Sequence, residues 1–177
     1  GTFGSSTLPS GFSSGYGLAA GEVARLIYAT PGLKTFTNAS GGLTWETPGN
    51  WTGTSLPGSA DTALISSGYA VTHATGTDSI AGLTINASNS LNVSGGSLSV
   101  SGTTSGGGTL SLSGGTLTLN GPTNIATLNL SSGTINQNAA FSTTTFTQSG
   151  GTWNQVAATL PSFSATDFSI SGGTFVR

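Results

Sequence analysis

One histidine, His73, lies between two aspartates, Asp61 and Asp78, and this trio is the chain's best candidate for acid–base chemistry. Two carboxylates can divide the acid and base roles in glycoside cleavage, and an imidazole beside them can accept a proton from a nucleophile. The surroundings argue for a plainer use. Asp61 follows Leu56-Pro57-Gly58-Ser59-Ala60, where an aspartate is expected to cap or form a turn. A Ser-His-Asp system would have only His73 as its base, and the chain has no Gly-x-Ser-x-Gly elbow to present the serine. The other carboxylates, Glu22, Glu46 and Asp167, are scattered. No catalytic residue is expected.

Metal and cofactor chemistry fare no better. The chain has no cysteine and a single histidine, so it lacks the ligands of a thiolate or imidazole site. The Gly-Gly corners of its repeat are followed by Ser or Thr and not by the aspartates of calcium-binding nonapeptides. Neither metal nor cofactor is expected. A net charge of −2, from three basic and five acidic residues, cannot build the cationic surface that neutralises phosphates or anionic lipid. This excludes nucleic acid as a partner. The longest apolar runs, such as Val23 to Ala29, are far shorter than the roughly 20 residues a membrane-spanning helix needs, so no membrane insertion is expected. Trp45, Trp51 and Trp153 offer the one route to a ligand, as platforms for the rings of a surface glycan, against the plainer reading that they fill a core.

The elements that would carry these residues follow from a repeat. Serine and threonine number 58 and glycine 29 of 177 residues, yet 34% of the chain is hydrophobic, so this is no disordered tract. One phrase recurs, in which alternating apolar residues flank Ser-Gly-Gly or a close variant. It reads LNVSGGSLSV at 91–100, LSLSGGTLTL at 110–119, LNLSSGTINQ at 128–137, FTQSGGTWNQ at 146–155 and FSISGGTFVR at 168–177. Its last glycines, Gly96, Gly115, Gly133, Gly151 and Gly173, are spaced by 19, 18, 18 and 22 residues. Two degenerate units, 62–78 and 79–96, precede it. Period-two alternation marks strands with one buried face, and glycine suits the corners between them because it accepts positive φ. The spacing predicts an all-β parallel β-solenoid of about six turns over 62–177, with repeats of about 18 residues. Antiparallel hairpins packed as a β-sandwich are the alternative, since Gly-Gly between alternating runs is also a hairpin signal. From Ser79 to Thr166 there is no charged residue and no histidine. A stack explains this, because like charges one strand apart repel whereas Ser, Thr and Asn can pair as ladders.

The first sixty residues differ. Residues 1–17 read as an extended arm, and 18–61 as an N-terminal cap with a short helix, carried by Val23, Leu26 and Ile27 at helical spacing, and a tryptophan-containing entry motif. A cap is needed because the first turn of a solenoid exposes apolar side chains and unpaired strand groups. No equivalent follows at the other end, where Thr174-Phe175-Val176-Arg177 reads as the opening strand of another turn. Either further chain or a second copy is expected to cover Phe175 and Val176, and the second option makes homotypic head-to-tail assembly, with 1–17 as a bridging arm.

The entry motif, with Asn50-Trp51, Pro57, Asp61 and Gly68-x-x-Val71-Thr72, resembles the segment that leads into secreted bacterial β-solenoid proteins and some phage structural proteins. The SGGTL phrases are similar to passenger repeats of autotransporters and of filamentous-haemagglutinin-like adhesins. The resemblance implies a non-enzymatic structural or adhesive module, a fibre subunit or adhesin segment, at an extracellular or cell-surface location. A phage decoration or fibre protein in a virion is one alternative, and a polysaccharide-binding or degrading β-helix module the other.

Overall fold

The computed structural model describes residues 32–156 and 161–177, so the expected arm at 1–17 and the helix expected after it lie outside the described residues. A short strand, β1 (Leu33–Thr35), precedes the stack. The first turn holds β2 (Thr62–Ile65), β3 (Ala70–His73) and β4 (Thr77–Ile80), and the second holds β5 (Gly82–Ile85), β6 (Ser90–Val93) and β7 (Ser97–Val100). Thereafter each turn has one long and one short strand: β8 (Thr104–Leu112) with β9 (Thr116–Leu119), then β10 (Thr123–Leu130) with β11 (Thr134–Gln137). The last two are β12 (Phe141–Gln148) with β13 (Thr152–Gln155), and β14 (Phe163–Ile170) with β15 (Thr174–Val176). The only helix among the described residues is a single 3-10 turn, Pro48–Asn50.

Every pairing between these strands is parallel, which excludes the hairpin alternative and makes the chain a β-solenoid of six turns. One sheet runs β1-β2-β5-β8-β10-β12-β14, with β3 and β6 alongside, and the second runs β4-β7-β9-β11-β13-β15. The first turn is longer than the 17 residues its sequence suggests, since Thr62 pairs with Gly82 and Thr77 with Ser97. The second unit therefore opens at Gly82 and not at Ser79.

The fusion of two short strands into one long one has a local cause. Between β5 and β6 the chain makes a corner held by Asn89, whose Nδ2 donates to Asn86 O and Ala87 O while its Oδ1 accepts from Tyr69 N. One turn later the same place is Gly106-Gly107-Gly108. Gly106 takes φ +128°, and a Cβ there would strike the Ile85 carbonyl. Glycine thus lets the chain pass close over the turn below, and the corner shortens.

Inside, equivalent residues stack as columns. One runs Val71, Leu91, Leu110, Leu128, Phe146, Phe168, and another Leu98, Leu117, Ile135, Trp153, Phe175. Towards the last turns the columns become aromatic: Phe146 stacks on Phe168, Phe141 on Phe163, and Trp153 on Phe175. Glutamines enter the same interior. Gln155 Nε2 and Trp153 Nε1 both donate to Gln137 Oε1 at 3.0 Å, so the amide oxygen of one rung is satisfied by the next.

The second corner is a column of its own. Gly76, Gly96, Gly115, Gly133, Gly151 and Gly173 all have positive φ, and each carbonyl from Gly76 to Gly151 accepts the N–H of the strand residue one turn on, as Gly96 O does from Thr116 N. A Cβ on Gly115 would collide with the Gly96 carbonyl, a backbone atom that cannot give way. We predict that Gly115→Ala destabilises by about 3 kcal/mol or more, combining left-handed strain with this clash. Gly41→Ala, at a positive φ but in open space, should cost only about 1–2 kcal/mol. Urea unfolding of the two variants against the parent checks the difference.

Candidate functional site

His73 and Asp78 occupy the first rung of two interior columns, where Val93 and Leu98 follow them one turn later. Strand alternation turns both inward from adjacent strands, and they meet: His73 Nε2 lies 2.9 Å from Asp78 Oδ2, and Nδ1 lies 3.0 Å from Gly95 O. The His73 side chain is fully buried and that of Asp78 partly buried, at 0% and 18% exposure. Since the Gly95 carbonyl can only accept, Nδ1 donates, and the contact with Asp78 then also carries a proton, on the ring or on the carboxyl. Both ring nitrogens are therefore committed to internal partners. Asp61 does not join the pair. Its Oδ1 accepts from Gly32 N and its Oδ2 from Gly58 N, which ties the entry loop to the start of β2. The arrangement is that of a structural anchor.

The entry motif explains what lies over the pair. Asn50 is buried with its amide fully used: Oδ1 accepts from Ser40 N, and Nδ2 donates to Gly41 O and Thr44 O. This folds 40–50 into a compact loop that sets Leu43 to Trp45 beside β3, with Trp45 N donating to Thr72 O and Thr72 N to Leu43 O. Trp45 and Trp51 are buried edge to face, with centroids 4.7 Å apart, and Trp51 Nε1 donates to Trp45 O. Trp45 also lies edge-on to His73. Pro57 is buried in the same segment. The outer edge of β1 is met by Thr52, whose N donates to Thr35 O while its Oγ1 accepts from Thr35 N. Together these form a partial rung that seals the end of the stack.

Glu46 completes the seal, and the sequence reading did not single it out. Its Oε1 accepts from Ala74 N and Thr75 N, the exposed amides of the first corner, where a preceding turn would otherwise offer carbonyls. Burial alone would raise its pKa. The N–H donors of Thr75, Ala74 and its own backbone, together with the charge of His73, outweigh burial and leave it below its ordinary 4.5. A signal was present, in that Glu46 is the only acid among 31–60, but its partners lie 28 and 29 residues away.

The other residues singled out from sequence fall elsewhere. Trp153 fills the aromatic end of the core, so all three tryptophans are buried and none is a surface platform. The corner glycines line one edge of the rod. Phe175 is half-buried against Trp153, and Val176 is exposed on the last turn with Phe168 and Ile170. No cluster of three or more metal-ligating side chains occurs among the described residues, and no helix described is long and apolar enough to cross a membrane. No protein-family model, curated protein or solved structure matches the chain.

Because Glu46 is held below its ordinary pKa by the fold, its contribution is fully present above about pH 4.5 and is lost as pH falls through the lower folded value. Glu46→Gln should therefore lower the melting temperature modestly at pH 7, since the group is partly solvated. The gap from the parent should close as both are taken to pH 3, which thermal melts across that range would measure.

Proposed function

We propose that the chain is a non-enzymatic structural and adhesive module of an external surface, an adhesin segment or the subunit of a self-assembling fibre. The observation that carries this reading is the in-register stack itself. Six turns hold one apolar interior, while the outside is a set of uncharged ladders, such as Asn138 Nδ2 on Asn120 Oδ1 and Asn154 Nδ2 on Asn136 Oδ1. Such a rod is rigid, carries little electrostatic penalty to association, and offers long repetitive faces to a partner. Its ionisable side chains support the same reading, because those with the best spacing for chemistry are used internally at the sealed end.

Self-assembly is head-to-tail in this proposal. On the last turn described, Phe168, Ile170 and Val176 are 54%, 44% and 44% exposed, and β14 and β15 each have a free edge among the described residues. One turn below, Gln155 Oε1 is buried without a donor. A second copy laid on this face would bury the aromatic columns and pair the strand edge, and because the contact is heterologous it would propagate.

Light scattering and electron microscopy of the purified chain should show rods that lengthen with concentration. A monomer at every concentration would overturn the self-assembly. Incubation with polysaccharides should release no products, and cleavage that is lost in Asp61→Asn or Asp78→Asn would overturn the non-enzymatic reading.

A further inference from the structure

Five asparagines stand in the tripeptide Asn-x-Ser/Thr that an N-linked sugar requires: Asn38, Asn50, Asn86, Asn92 and Asn129. In a chain this rich in Ser and Thr the tripeptide arises from composition alone, so the pattern by itself selects none of them. The fold does. Asn50 is buried with its amide fully used, and a sugar there would keep the entry loop from closing. Asn38 is partly covered, and its Oδ1 accepts from Leu43 N. Asn92 and Asn129 point outward from β6 and β10 but have a strand on either side, and Asn92 Oδ1 also accepts from Ser113 Oγ. Of the five, only Asn86 is exposed. Its backbone is pinned, with N donating to Ile65 O and O accepting from Asn89 N and Nδ2. Its side-chain amide makes no hydrogen bond among the described residues.

The corner that carries Asn86 presents the whole tripeptide. Residues 86–89 form a tight turn closed by Asn89 N on Asn86 O, with Ser88 at φ +65°, and Asn86, Ala87 and Ser88 are all exposed. The serine matters as much as the asparagine, because the hydroxyl at the third position is part of what a transferase recognises. The turn is held by Asn89, whose Oδ1 accepts from Tyr69 N, so it does not depend on the side chain that would be modified. Its neighbours leave room. One turn on, the same place is Gly106-Gly107-Gly108, where any side chain at Gly107 would meet Ala87, and one turn back it is Ser66-Ser67-Gly68. We propose that Asn86 is an N-linked glycosylation site, the acceptor for a sugar chain on the outside of the second turn. In the transfer Asn86 Nδ2 gives up one proton and bonds to C1 of the sugar, while a diphosphate leaves C1 with the bonding electrons. The donor is an activated sugar, linked through that diphosphate to a nucleoside or to a lipid. Use of the site in the native cell rests on the external location proposed above, and the capacity of the folded chain to accept sugar does not.

Two arms test this on the whole chain and separate the donors. The folded chain, incubated with UDP-glucose and a soluble transferase specific for Asn-x-Ser/Thr, should take up one hexose, mapped to Asn86 by mass spectrometry of chymotryptic peptides. Asn86→Gln and Ser88→Ala should each abolish the uptake with an unchanged circular dichroism spectrum, and Asn129→Gln should leave it intact. Secreted from a eukaryotic cell, whose donor is lipid-linked, the chain should carry an endoglycosidase-sensitive glycan at Asn86. Sugar on Asn86 in one arm alone supports the site and identifies its donor. The proposal fails if the folded chain stays unmodified in both arms while its chymotryptic peptides accept glucose, or if Asn92 or Asn129 of the folded chain takes as much as Asn86. Neither readout depends on whether the chain forms rods, so the site can fail while the external reading stands, and the reverse.

Discussion

Parallel, in-register stacking at one strand spacing governs everything else in this molecule, because each inward side chain is sandwiched between its equivalents in the turns before and after. A polar group inside can be satisfied only along its own column, by a neighbouring column, or at an end. The protein uses these options in order. His73 and Asp78 stand at the first rung, under Trp45 of the capping segment, where they pair with each other and with Gly95 O. Gln137 and Gln155 stand on consecutive rungs and share a hydrogen bond. Between these places the columns are Leu, Val and Ile, except for Thr104 and Thr123, two buried threonines on the column that runs from Leu83 to Phe141. An isolated charge in mid-column would have no such recourse, which accounts for the absence of charge at the inward positions from Ser79 to Thr166.

The same spacing imposes glycine at the corners. Backbone carbonyls of successive corners approach so closely that any Cβ would fall on the turn below, and each such carbonyl is also the acceptor that holds the next strand. Glycine is thus required twice over, by positive φ and by contact. The polar outside follows from the converse condition, since solvent on one side leaves Ser, Thr and Asn free to pair up the rod or to face water.

How much of this was legible depends on whether its cause was local. The alternation around Ser-Gly-Gly and its recurrence reported strand, corner and period together, and the parallel stack follows from the recurrence. Asp61 as a turn residue and Trp45 and Trp51 as cap filling were also readable, because Pro57 and Gly58 precede the one and the other two belong to the entry motif ahead of the repeats. Three features were not. The inward placement of His73 and Asp78 depends on aligning a degenerate first turn with the later phrases, where Asp78 falls on the column of Leu98. Glu46 acts on amides nearly thirty residues away. The merging of strands starts in β8, where Gly106 passes over Ile85, a long-range contact no single segment encodes.

The fourth and fifth turns use the same register, so that Thr123 and Phe141, or Thr134 and Thr152, are eighteen residues apart throughout. Excising residues 123–140 would bring Phe141 over Thr104 with the ladders still in phase, and inserting another such segment would add one rung without disturbing those on either side. Gain or loss of one such segment would therefore yield rods of different length that thread alike. Length becomes a trait that selection can alter by whole rungs, independently of the sealing segment at the start.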